Sequence, residues 1–203
     1  MSIYIILITV VVSFSAFQKP ELFSKLQFNP YSVFKYQQHY RFLSHALIHA
    51  DWPHLLINMF VLFFFGPLVE GYLQAFFGYE KGLFYFVLLY IGGTATACLP
   101  TFKKQKDNPY YNSVGASGAI SAVVFSSIVY NPMSSICLYG ILCFPGIVWG
   151  VIYLAYEYYM GKRGGSQVNH DAHFMGAIFG VLFTVLIRPL TFLEFIEQII
   201  SRF

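Results

Sequence analysis

"HADWPHLLINMFVLFFFGPLVEGYL", residues 49–73, decides the fold. From His54 onward the stretch is almost wholly apolar, and it reaches the length of about 20 residues that a membrane-spanning helix requires. Its start is marked. Asp51 suits a helix cap, Trp52 suits the membrane interface, and Pro53 is tolerated in a first helical turn. Three polar residues interrupt the apolar run: His54, Asn58 and Glu70. Such groups are expensive inside a bilayer and usually serve a purpose there. His54 and Asn58 lie four apart and so share one helix face. His45 and His49 repeat that spacing just upstream.

The rest of the chain obeys the same chemistry. Of 203 residues, 57% are hydrophobic and 10% are charged, against about 25% charged in a soluble domain. This is the composition of an integral membrane protein whose first partner is the lipid bilayer. A net charge of +3 gives no support to nucleic-acid binding. Six spanning helices are expected, at about 2–17, 54–73, 82–100, 115–131, 134–160 and 171–188. No Lys or Arg precedes the first apolar run, which favours an uncleaved helix over a signal peptide. The fifth segment is long, and Pro145-Gly146 kinks or interrupts it. Connection 18–53 mixes Lys19, Lys25, Lys35 and Arg41 with many aromatics and predicts short helices embedded in the interface. In 190–203, Phe192, Phe195, Ile196, Ile199, Ile200 and Phe203 fall on one face, the pattern of a helix lying in the interface. Cys98, Cys137 and Cys143 lie in apolar runs without a CxxC pair and are expected to be buried free thiols.

The remaining polar residues gather at helix starts. Ser117, within "GASG" (115–118), opens the fourth segment, and His170, Asp171 and His173 open the sixth. The second, fourth and sixth segments all begin on one side of the membrane, so these groups can converge near one surface. A serine hydroxyl becomes a nucleophile when a base takes its proton, and histidine is the usual base. A helix N-terminus favours an oxyanion beside Ser117 and a neutral His173. Asp171, two residues before His173, points elsewhere, so a Ser117–His173 dyad is expected rather than a triad. His54, Asn58 and the Ser117 backbone N–H are candidate donors to the oxyanion; one such donor is worth about 3–4 kcal/mol of barrier.

Other readings stand beside this one. Gly115, Ala116, Gly118, Ala119, Ser121 and Ala122 form a small-residue face, and Gly176 and Gly180 form a small-xxx-small pair, so GASG also fits simple helix packing. His45, His49, His54 and His173 could ligate zinc. Their HxxxHxxxxH spacing lacks the glutamate of HExxH, which disfavours a metal.

Taken jointly, "HALIHADWPHLLINMF", "GASG" and "AHFMGAIFG", in that order over roughly residues 39–188, resemble the rhomboid family of intramembrane serine proteases. The resemblance implies an all-α, six-helix rhomboid core with a water-filled cavity. It implies Ser117 as nucleophile, His173 as general base, and His54, Asn58 and the Ser117 backbone as the oxyanion site. His45 and His49 would support the first loop, Glu70 would be a structural glutamate, and 161–170 would form a cap over the site. It implies single-span membrane proteins as substrates, with small residues at the cut, and no metal or nucleotide cofactor. Ser121 stands where members often carry an aromatic that stacks on the base, so the His173 ring must be held by something else or is held less firmly.

Two signals for orientation disagree. Nine of the twelve Lys/Arg lie in 18–53, 101–114 and 161–170, and the positive-inside rule would put that side in the cytoplasm. The resemblance implies a bacterial inner membrane with the site facing away from the cytoplasm, and that expectation is adopted. A non-catalytic rhomboid-like binder of membrane proteins and a metal-dependent membrane enzyme or transporter are the rival functions. Turnover excludes the first, and insensitivity to a chelator excludes the second.

Overall fold

The computed structural model of the chain describes residues 1–138, 141–166 and 168–202. Phe203 of the tail, residues 139–140 of the expected fifth segment and residue 167 of the expected cap lie outside the described residues. In chain order the helices are α1 (Ser2–Gln18), α2 (Pro20–Leu26), α3 (Pro30–Tyr36), α4 (Arg41–Ser44), α5 (Trp52–Phe77), α6 (Tyr79–Ala97), α7 (Leu99–Gln105), α8 (Ser117–Tyr130), α9 (Gly146–Arg163), α10 (His170–Ile187) and α11 (Leu190–Ile200). A 3₁₀ turn covers His45–Leu47, and two strands, β1 (Ser135–Leu138) and β2 (Leu142–Pro145), precede α9. This is an all-α membrane fold. Trp52–Phe77, Tyr79–Gln105 and His170–Ile187 are long and apolar enough to cross a bilayer, and Ser2–Gln18 and Ser117–Tyr130 are shorter apolar helices.

The helix α8 is the centre of the bundle. From Gly118 to Tyr130 only Val124 is not buried, and α5, α6, α9 and α10 surround it. Its close fit to α10 is a matter of missing side chains. A Cβ on Gly176 would collide with the Gly118 carbonyl, and one on Gly180 with the Ala122 carbonyl. The helices therefore touch backbone to backbone, the geometry that small residues allow in membranes. One turn further on, Thr184 Oγ1 donates to Ser126 Oγ at 2.7 Å.

The first connection is ordered. Arg41 is buried and donates to the Ser24 and Gln27 carbonyls at 2.9 and 2.6 Å. Asn29 donates to the Pro109 and Tyr111 carbonyls, and Phe28 pairs with Ser113 as an isolated bridge. Short helices thus form where the aromatic-rich stretch predicts them.

Two expectations need correction. The segment 134–160 is not one helix: an antiparallel hairpin pairs Ser135 with Pro145 and Cys137 with Cys143, and the helix starts only at Gly146. Pro145 lacks the N–H that helix interiors need and stands instead at the helix cap. Cys137 and Cys143 are directly opposed on the hairpin and joined as a disulfide, so they are not free thiols. Cys98 is free and buried.

Candidate active site

Both ends of the site are placed by helix starts. Ser117 is the first residue of α8, and His173 lies in the first turn of α10, which Asn169 caps by accepting from the Ala172 N–H at 3.2 Å. The close α8–α10 packing holds these starts side by side, and Ser117 Oγ lies 2.7 Å from His173 Nε2.

The turn before Ser117 is pinned from the first loop. The Gly115 N–H donates to the His45 carbonyl at 3.0 Å. Gly115 has a φ of +114°, and a Cβ there would lie 2.6 Å from His54 Cε1; only glycine fits this backbone and leaves room for the ring. The Ala116 N–H donates to His49 Nε2 at 3.4 Å. His49 Nδ1 meets Ser13 Oγ at 3.1 Å, and that hydroxyl donates to the Leu47 carbonyl at 3.0 Å. His49 therefore joins α1, the first loop and the GASG turn. Burial pushes His49 down to about 3, helped by the neighbouring His54 and His45, and burial pushes His45 down to about 4. Both rings are neutral near neutral pH. A neutral ring is needed here, because one nitrogen of His49 must accept while the other donates.

His54 and Asn58 lie on the face of α5 turned to this turn. The Asp51 carboxylate caps the helix by accepting from the His54 N–H at 2.7 Å. The His54 ring rests on Gly115. Asn58 is buried, and its amide donates to the His54 carbonyl at 2.8 Å, which uses one of its two N–H donors. The structure thus joins Asn58 to His54 rather than to Ser117. Glu70 lies at the other end of α5, where it accepts from the Met1 ammonium at 2.7 Å and from the Ser2 N–H.

One residue was missed from sequence. Glu157 of α9 is 4% exposed; its Oε1 lies 3.1 Å from His173 Nδ1, and its Oε2 lies 2.6 Å from His170 Nδ1. An acid does therefore face His173, contrary to the expectation that none is well placed. Asp171 is engaged elsewhere, by Lys104 Nζ at 2.6 Å. Glu157 also answers what holds the ring in the absence of an aromatic at 121. Ser121 instead meets the Tyr153 hydroxyl at 2.8 Å.

For metal binding, the four histidines considered from sequence are not one cluster. His45 is engaged by the Arg41 carbonyl and Cys98, and His49 by Ser13 and Ala116. Among the described residues, the ligating atoms of Glu157, His170 and His173 lie within 4.8 Å of one another. Chemically, the arrangement presents a hydroxyl hydrogen-bonded to an imidazole, an acceptor carboxylate behind that imidazole, and helix-start N–H groups around the hydroxyl.

Known proteins match in the same region. The family model for the Rhomboid domain matches residues 36–190. The chain is 30% identical over 163 residues to rhomboid-like protein 11, chloroplastic, of Arabidopsis thaliana, covering 73% of this chain and 52% of that protein. It is 25% identical over 166 residues to rhomboid-like protein 12, mitochondrial, of the same plant, covering 76% and 48%. The chain spans about half the length of the curated relatives it matches.

Proposed function

The chain belongs to the rhomboid family, and on that premise we propose that it is an intramembrane serine endopeptidase acting on transmembrane segments of single-span proteins. The observation that supports this most is the 2.7 Å contact between Ser117 Oγ and His173 Nε2. A substrate helix enters laterally and unwinds near the site, exposing a peptide bond that its own hydrogen bonds otherwise shield. Ser117 Oγ attacks the carbonyl carbon while its proton passes to His173 Nε2. The oxyanion is met by the Ser117 N–H, the His54 ring and the Asn58 amide. His173 returns the proton to the leaving nitrogen as the C–N bond breaks. Water then attacks the acyl-enzyme, giving its proton to His173, and the Ser117 hydroxyl is restored.

The test is fluorophosphonate labelling and cleavage of a transmembrane substrate by detergent-purified protein. Ser117→Ala and His173→Ala should each abolish both while the fold survives. Full activity in either variant would sink the dyad. A folded wild-type chain without turnover would favour a rhomboid-like binder of membrane proteins.

The protein is a multi-pass membrane protein. For its finer placement we propose a bacterial inner membrane with the site facing away from the cytoplasm, on family resemblance. The hairpin lies at the end of the bundle opposite Ser117, between the end of α8 and the start of α9. The proposed orientation puts it in the cytoplasm, where thiols are kept reduced. The Cys137–Cys143 disulfide counts against that orientation and agrees with the nine Lys/Arg on the Ser117 side. Alkylation in intact cells decides: thiols trapped there would keep the proposed orientation, and a disulfide would reverse it.

A further inference from the structure

We propose that Glu157 is a positioning residue that makes Ser117 and His173 a Ser–His–Glu triad, and that its second oxygen ties the base, through His170, to the 161–170 connection. This rests on the protease reading above and adds a residue that neither the sequence motifs nor the family match assigns.

The inference starts from a buried charge. A carboxylate that is 4% exposed, on a helix of a membrane protein, is costly unless each oxygen is hydrogen-bonded. Both oxygens of Glu157 are engaged, and both partners are imidazole Nδ1 atoms. A carboxylate can only accept, so each Nδ1 must carry the hydrogen. In the neutral His173 ring that leaves Nε2 bare, the atom 2.7 Å from Ser117 Oγ. The tautomer that can take the serine proton is therefore selected before substrate arrives. Once Nε2 is protonated, the imidazolium faces a carboxylate 3.1 Å away in a buried setting, and the ion pair is favoured as the charge develops. The proton moves only between Ser117 Oγ and His173 Nε2; Glu157 stays ionised throughout.

Position 121 gives this its logic. The stacking group expected one turn after the serine is absent, and Ser121 binds Tyr153 instead. Tyr153 and Glu157 are four apart on α9 and so share a face. The helix α9 thus supplies both the side chain that occupies Ser121 and the group that grips the base.

The second oxygen has a separate consequence. By the same reasoning His170 Nδ1 donates to Glu157, and in the neutral ring its Nε2 accepts from Ser166 Oγ at 3.1 Å. Ser166 follows Gly164 and Gly165, both at positive φ. One chain of contacts runs from Ser166, through His170 and Glu157, to His173 and Ser117.

The experiment compares wild type, Glu157→Gln, Glu157→Asp and Ser117→Ala with one transmembrane substrate, each variant first checked for its thermal midpoint. Gln keeps the shape but offers an N–H donor that favours the wrong tautomer. We expect Glu157→Gln to lower kcat by about 10²- to 10⁴-fold with KM within about twofold, the signature of an interaction made in the transition state. Glu157→Asp should recover part of the loss. A folded, active Glu157→Gln within about threefold of wild type, with Ser117→Ala inactive, would overturn the triad and leave the dyad standing. Loss of wild-type activity to a chelator would assign Glu157, His170 and His173 to an ion and also overturn it. A folded wild type that neither labels nor cleaves would overturn the protease reading together with the triad.

Discussion

The two ends of the bundle are held by different physics. At the Ser117 end, neutral histidines, capped helix starts and backbone N–H groups form a continuous polar network in which nearly every partner has a specified donor or acceptor role. At the opposite end, Arg188 forks onto Glu194 and lies 4.0 Å over the Phe76 ring, Tyr72 stacks on Tyr130, and a disulfide closes the hairpin. Those contacts need no particular tautomer. The difference teaches where mild acid damages the molecule: the end built on neutral histidines is the one that protons take apart just below neutral pH.

Acid is therefore the sharpest test. His45 and His49 are held near 4 and 3 in the folded protein, below the ordinary 6.5. The unfolded chain takes up their protons first as pH falls. Their contribution to stability is complete above pH 6.5 and drains away as pH falls toward those folded values. Each costs about 1.4 kcal/mol for a pH unit below 6.5, or about 3 kcal/mol together near pH 5.5. Thermal melts of the Ser117→Ala protein in detergent should show this loss between pH 7.5 and 5.5. A flat profile would mean that the two rings are not buried neutral, and the contrast between the ends would fall.

The next effect tests the packing that both ends share. Gly176→Ala places a Cβ against the Gly118 carbonyl, a backbone atom that cannot step aside. Overpacking of this kind costs about 1–3 kcal/mol. Because Gly118 follows Ser117, labelling should fall more than the melting midpoint alone accounts for. Gly180→Ala meets the Ala122 carbonyl one turn deeper, so it should match the stability loss and spare more of the labelling. Equal labelling losses would show that the site does not feel its own helix start more than the core does.

Much of this was legible in the residues, and the gaps have physical causes. His54, Asn58, Ser117 and His173 stand out because polar groups in apolar helices are few, and helical spacing groups them. The Asp51 cap and the small-residue contact of Gly176 and Gly180 follow from local chemistry. The hairpin did not, because a short apolar run such as "SICL" satisfies strand and helix alike, and only its pairing with "LCFP" decides. With the fifth segment drawn from 134, its register was lost. Glu157 is not among the polar groups singled out from the sequence. The rule that drew notice to Glu70 applied equally to Glu157, a lone acid in "YLAYEYYM". What sequence could not supply was the side of α9 that faces α10, which tertiary packing alone fixes.

The smallest effect belongs to the far end. Arg188 makes two hydrogen bonds to Glu194, which hold the Glu194 carboxyl below its ordinary range. The Glu194 side chain is 43% exposed, so water and salt screen the pair, and such pairs are worth roughly 0–1 kcal/mol. Glu194→Gln should lower the melting midpoint only slightly, and added salt should erase most of that difference. Arg188→Ala should cost more than Glu194→Gln, because it also removes the cation from the Phe76 ring and the donor to Thr191. Neither should move fluorophosphonate labelling, since both lie at the end of the bundle opposite Ser117. A labelling change in Glu194→Gln would join the two ends through α10, which carries His173 in its first turn and is followed by Arg188, and would replace the division between them with a single coupled element.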